Sequence, residues 1–356
     1  MKKVGKFVKR AGLILLGLLL TLVVVVGAFV VWLRAEPEQV TACEDDQRLI
    51  DSGVRPTCIP ENAERVVPGS PSATQFFLAI GYRPGGHSEL INVSAFLDHP
   101  ELVEPWNELT EGIPFVGGTQ VSLESVLAAD PDVIISEFDL SSVARGIELI
   151  APVVEVNQAD DWKANILTFG EVVGEREQAE ELLAGYDERV EILRQQFEDP
   201  SAISISTFSV SENRLSLHLT DSFSGQVLEE IGFSLPDHQL RHMEESETVL
   251  YTTFTDISME RLDLLDGDVI FMYGLGDADY TDGSYTTSTA PAEAMLENPL
   301  FQQLDGVQAN AVYPAGSYWG RAGIYSAHKL LDDLFRYVAG GEPEEVAPNP
   351  LLAERE

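Results

Sequence analysis

Residues 175–197 read EREQAEELLAGYDERVEILRQQF. Ala179, Leu182, Leu183, Tyr186, Val190, Leu193 and Phe197 recur every three or four residues and so share one face of a helix. Glu180, Glu181, Asp187, Glu188, Arg189, Glu191 and Arg194 fill the remainder, as a solvated face requires. With the residues ahead of it, Asp161–Phe197 reads as the one long helix of the chain, with a bend expected at Gly174. At about 1.5 Å per residue, the straight part from Glu175 spans roughly 33 Å, the width of a small domain. An ordinary surface helix would show the same pattern; its flanks make the difference.

Two similar segments lie on either side. Ser122–Ile135 (SLESVLAADPDVII) and Ser258–Phe271 (SMERLDLLDGDVIF) align without gaps, matching Ser122 with Ser258, Glu124 with Glu260, Asp130 with Asp266, Asp132 with Asp268, Val133 with Val269 and Ile134 with Ile270. Each reads as a short helix running into a buried strand, with Ser122 and Ser258 as N-caps and the glutamates in the first turn, where the helix dipole favours negative charge. Such an internal repeat about a long helix predicts two similar α/β lobes with mostly parallel sheets, joined by that helix. Glu64–Val67, Pro114–Gly118, Asp132–Ser136 and Pro152–Val156 are the expected strands of the first lobe. Ala202–Thr207, Asp268–Met272 and Ala311–Tyr313 are those of the second, with helices at Ser222–Ile231 and Ser326–Val338.

The N-terminus carries Lys2, Lys3, Lys6, Lys9 and Arg10, and residues 11–33 contain no charge. A run of this length covers the roughly 20 residues a bilayer crossing needs, so 1–34 reads as a basic cytoplasmic stub and a membrane anchor, leaving the remainder outside the cytoplasm. Cys43 and Cys58 are the only cysteines. In an oxidising compartment they are expected to pair, the alternative being a lipid on Cys43, which ends the lipobox-like Val40-Thr-Ala-Cys. From Cys43 onward, 16 basic residues face 57 acidic ones, a balance of −41. That surface repels nucleic acid and anionic headgroups. No Gly-x-Ser-x-Gly elbow, phosphate-binding loop or His-Glu-x-x-His run is present, which argues against an enzyme.

The boundaries that follow are 1–34 for stub and anchor, 35–57 for a linker with the disulfide, 58–160 for the first lobe, 161–200 for the bridging helix, 201–340 for the second lobe, and 341–356 for a Pro-rich acidic tail expected to be disordered. Several stretches within this frame resemble the substrate-binding proteins of ABC importers for iron siderophores: Cys58–Val67, Ser122–Ile135, Ile150–Val154, Gly170–Ala179, Gly225–Gly232, Ser258–Phe271 and Asn298–Phe301 with Trp319 and the Ser326–Leu334 helix. The resemblance implies a monomer of two lobes about one rigid helix, a ferric siderophore in the cleft, an ABC permease as partner and no cofactor. It also implies one exposed carboxylate on each lobe for docking.

Ligands of open α/β sheets sit beyond the carboxyl ends of the strands, so the internal repeat places Phe138 opposite Tyr273 as cleft aromatics. The loop after Tyr313 adds Ser317, Tyr318, Trp319 and Arg321; loops 117–120 and 68–72 complete the rim. Aromatics with the cations Arg214 and Arg321 suit a large anionic ferric complex. Trp319, between Gly316 and Gly320, is expected to be exposed. Cobalamin, haem or a bare metal are the alternative ligands, the metal resting on His238 and His242 with Asp237 and Glu244 nearby; an anchored adhesion protein is the other class.

Overall fold

The computed structural model describes residues 42–69, 71–88, 100–117, 122–137, 146–157, 161–211, 214–245, 253–274 and 290–352. The anchor assigned to residues 11–33 lies outside them, as do the cleft aromatic Phe138 and rim residues 118–120.

A hairpin of β1 (Gln47–Asp51) and β2 (Pro56–Pro60) opens the described chain, and the Cys43–Cys58 disulfide closes it at a Cα separation of 5.6 Å. The pairing occupies the sulfur that a lipid on Cys43 would need. Then come β3 (Val66–Pro68), α1 (Pro71–Ile80), β4 (His87–Ser88), α2 (Pro100–Thr110), β5 (Phe115–Gly117), α3 (Leu123–Ala129), β6 (Val133–Ser136) and β7 (Val153–Glu155). Strands β3, β6 and β7 form a parallel sheet in that order. Ser122 caps α3 by accepting from the Ser125 amide.

Two helices follow where the periodicity suggested one. The first, α4, covers Trp162–Val173 and the second, α5, covers Arg176–Arg194. Gly174 separates them at φ 75°, a left-handed conformation that costs a non-glycine residue about 1–2 kcal/mol. The expected bend is thus a full break, and the continuous spine is the 19-residue α5, about 28 Å long. Its inward stripe is Ala179, Leu183, Tyr186, Arg189, Val190 and Leu193.

The second half contains β8 (Ile205–Val210), β9 (Leu215–His218), α6 (Phe223–Ile231), α7 (Asp237–Glu245), β10 (Phe254–Asp256), β11 (Val269–Gly274), α8 (Ala290–Leu296), α9 (Asp305–Gln308), β12 (Val312–Pro314), α10 (Ile324–Tyr337) and α11 (Pro343–Val346). Its sheet runs β10-β9-β8-β11-β12, with β8, β11 and β12 parallel and β9 and β10 antiparallel. The parallel trio β8-β11-β12 repeats β3-β6-β7, so this is an α/β fold with parallel sheets. The repeat also extends to side chains. Asp132 Oδ2 accepts from the amides of Glu64 and Arg65 at 3.0 and 2.9 Å, tying the start of β6 to that of β3. Asp268 Oδ2 accepts from the amide and hydroxyl of Ser204 at 2.8 and 2.7 Å and does the same for β11 and β8. Ser258 departs from the pattern. It caps no helix; its carbonyl accepts from Arg261 and a 3-10 turn, Leu262–Leu265, stands where α3 would recur.

One hydrophobic cluster runs through both halves and α5 between them, including Val66, Phe76, Phe169, Tyr186, Ile205, Phe271 and Phe335. The tail, read as disordered, is ordered through Leu352. Pro343 starts α11, the Ala347 carbonyl accepts from buried Arg189 at 2.9 Å, and Glu342 and Glu344 pair with Arg336. Composition misleads here because Arg189, which donates to the Ala347 carbonyl, lies 158 residues away in sequence.

Candidate functional site

The carboxyl ends of the two parallel trios point toward a common region. From the first half come Ser136 and Glu137, just beyond β6, and Ser72 and Gln75 on α1. From the second come Ser209 on β8, His218 on β9, Tyr273 on β11, and Arg321 after the 3-10 turn Ser317–Gly320 that follows β12. Gln75 crosses between the halves. Its Nε2 donates to Ser326 Oγ and its Oε1 accepts from the Ser326 amide, both at 3.0 Å. Ser326 is in the first turn of α10, whose N-cap position, Gly323, provides no side-chain acceptor. The first half thus supplies the cap of a second-half helix.

Glu137 is 7% exposed and accepts a hydrogen bond from the Ser72 hydroxyl. Burial drives its carboxyl up to about 8, only partly opposed by the positive charge of Arg321. Arg321 is half-buried, with no carboxylate within ion-pair distance among the described residues. Its charge also bears on His218 and Tyr273. His218 Nε2 shares a hydrogen bond with the Tyr273 hydroxyl at 2.7 Å and another with Ser209 Oγ at 3.2 Å. Burial first, then Arg214 and Arg321, hold His218 down at about 4, so it is neutral in neutral solution. Burial pushes the Tyr273 phenol up. The region therefore offers one uncommitted cation, a protonated carboxyl and a set of neutral polar groups, which suits an oxygen-rich anion.

The expected aromatics fare differently. Trp319 has no exposed surface: its ring stacks on Phe271 at 4.1 Å between centroids, and Nε1 donates to Asp333 at 2.7 Å. The Tyr318 hydroxyl donates to the same Asp333 oxygen at 2.7 Å. Trp319 and Tyr318 are core residues in this arrangement, and Tyr273 is 3% exposed. The glycines taken as a sign of exposure permit the opposite. A Cβ at Gly320 would come within 2.2 Å of the Tyr273 hydroxyl, so the loop closes onto the strand end only because no side chain intervenes. Arg214 is committed elsewhere, to Asp256 at 2.8 Å and over the Phe254 ring. It borders a separate groove with Val210, Ile257, Met259, Pro291 and Met295. Of the five candidates that lie among the described residues, Arg321 alone combines partial exposure with a charge that no described carboxylate pairs. Ser72 ends the rim loop 68–72 expected from sequence, whereas Glu137, Gln75 and His218 are not singled out there. Glu137 is one of 59 acidic residues, and no motif or spacing marks His218. Among the described residues, no group of three or more His, Cys, Asp or Glu side chains is arranged to hold a metal.

A sequence profile described as periplasmic binding protein matches residues 97–318. The chain belongs to the periplasmic binding protein family. Two curated relatives in it are a probable siderophore-binding lipoprotein, YfiY, of Bacillus subtilis, 26% identical over 286 residues covering 78% of this chain and 83% of the relative, and the achromobactin-binding periplasmic protein of Dickeya dadantii, 27% identical over 290 residues covering 78% and 88%. Staphylococcus aureus SirA, crystallised with staphyloferrin B, superposes with a TM-score of 0.66 at 22% identity, covering 82% of this chain and 98% of SirA. In open α/β sheets ligands are generally taken beyond the carboxyl ends of the strands, and Arg321 follows the last strand of the second trio, with Glu137 following β6 of the first.

Proposed function

We propose that this periplasmic binding protein captures a ferric siderophore between the carboxyl ends of its two parallel trios and delivers it to an ABC permease. The single observation that carries the reading is Arg321, a half-buried guanidinium without an ionic partner among the described residues, facing Glu137 from one half and His218 and Tyr273 from its own. A ferric siderophore bearing carboxylate or phenolate oxygens would provide the missing anion. The naming of two relatives for siderophore or achromobactin binding, and of SirA with staphyloferrin B, supports the same ligand class. The chain acts as a binding protein rather than an enzyme, works as a monomer, and is tethered outside the cytoplasmic membrane by residues 11–33. The two halves act as lobes, and α5, a single helix, keeps their closure small.

Intrinsic tryptophan fluorescence of the full chain in mild detergent tests this reading. Ferric staphyloferrin B and ferri-bacillibactin are titrated beside cyanocobalamin and haemin. Saturable quenching by a ferric siderophore, reduced at least tenfold in affinity by Arg321→Ala, is expected. Saturation by cyanocobalamin or haemin alone would overturn it.

A further inference from the structure

The carboxyl of Glu137 has no counterpart in a simple anion site, where a buried acid beside the ligand's cation would be a handicap. It follows β6 directly, is almost fully covered, and receives the Ser72 hydroxyl. Arg321 reaches it from the other half, close enough for its charge to be felt yet outside ion-pair distance. We propose that Glu137 sets the charge of the ligand cleft: protonated, it leaves Arg321 free for an anionic ligand and offers it an O–H donor; ionised, it competes for Arg321. This rests on the siderophore reading above.

Among the described residues, Glu137 is the group left to titrate there. From α1, the facing group is the uncharged Ser72. From the second half, the facing charge is Arg321, with His218 and Tyr273 behind it and Arg214 acting on His218. His218 is already neutral above about 4, and the Tyr273 phenol keeps its proton. No other acid among the described residues bears on Glu137. The proton balance is simple. Below about 8 the ligand enters a cleft whose carboxyl is already protonated; above it, binding takes up one proton from solvent. Linkage then fixes the size of the effect. With the carboxyl titrating near 8, affinity is flat below pH 7 and falls by about tenfold at pH 9.

Two measurements on the full chain test the proposal. The first needs no ligand: carboxyl carbons of 13C-glutamate-labelled protein are followed by NMR between pH 3 and 10. One glutamate is expected to titrate near 8, its resonance absent from Glu137→Gln, and to move higher in Arg321→Gln, which removes the charge opposing protonation. A midpoint for Glu137 in the ordinary carboxylate range overturns the proposal. The second is the dissociation constant of ferric staphyloferrin B from pH 6.5 to 9.5 in wild type and Glu137→Gln. Wild type should lose about tenfold by pH 9 while Glu137→Gln stays flat. An identical alkaline loss in both proteins overturns the gate and spares the siderophore reading. Failure of both ferric staphyloferrin B and ferri-bacillibactin to bind wild type at pH 7 overturns that reading, and the gate on a siderophore with it, whatever the NMR midpoint.

Discussion

Replacing Gln75 by methionine keeps the side chain's bulk and deletes its two hydrogen bonds to Ser326, which join residues 251 apart in sequence. Ser326 is fully buried and Gln75 is 5% exposed, so water cannot take over either bond. The Ser326 amide, in the first turn of α10, would be left without an acceptor. An unsatisfied buried donor costs about 1–3 kcal/mol and each lost bond about 1 kcal/mol net, so Gln75→Met should destabilise the fold by about 2–4 kcal/mol. Urea unfolding followed by far-UV circular dichroism, with the midpoint shift converted at constant slope, provides the number. Because Gln75 connects the halves at the start of the helix that follows Arg321, the variant should also release ligand faster. A destabilisation below about 1 kcal/mol would mean that Ser326 finds another partner, and would refute the reasoning that α10 is capped from the opposite half.

Arg189 lies buried on α5, where it pairs with Asp332 and donates to the carbonyls of His328 and Ala347. Arg189→Met should cost about 3 kcal/mol in the same assay because it leaves the buried Asp332 carboxylate with Lys329 at 3.9 Å in place of its close partner, and Arg189→Met with Asp332→Leu should recover much of it. Reducing Cys43–Cys58 frees a separation of 15 residues and should lower stability by about 3 kcal/mol, read as a drop in melting temperature with added dithiothreitol. Burial holds His328 at about 3 and His218 at about 4, below the usual 6.5. A histidine kept neutral by the fold contributes fully above 6.5 and loses its contribution as pH falls toward its folded value. Stability should therefore decline between pH 6.5 and 4 by up to about 1.4 kcal/mol per pH unit for each histidine, and His218→Gln should show a shallower decline than wild type in urea titrations at pH 7, 5.5 and 4.5.

The repeat was readable because Asp132 and Asp268 perform the same local task, receiving the backbone amides at the start of the neighbouring strand. That requirement fixes residue type and spacing together. The stripe on α5 was readable for a similar reason, and Gly174 announced the break without its extent, since a sequence shows a tolerance for positive φ and not the angle between helices. Packing across the chain was hidden. Trp319 sits among glycines and polar residues in sequence, yet Phe271 and Asp333 cover it. Arg214 and Arg321 look equivalent as text; only the fold shows that Asp256 takes the first and that none of the described carboxylates takes the second. Glu137 was lost in an acidic background, because burial, the property that singles it out, is not written in its neighbours.

The most direct test is a crystal of the iron-loaded protein with anomalous diffraction measured at the iron absorption edge. The account predicts one iron peak between the ends of β6 and β11, with a ligand oxygen on the Arg321 guanidinium. An iron peak in the Arg214 groove beside Met259 and Met295, leaving Arg321 without a ligand contact, would contradict it.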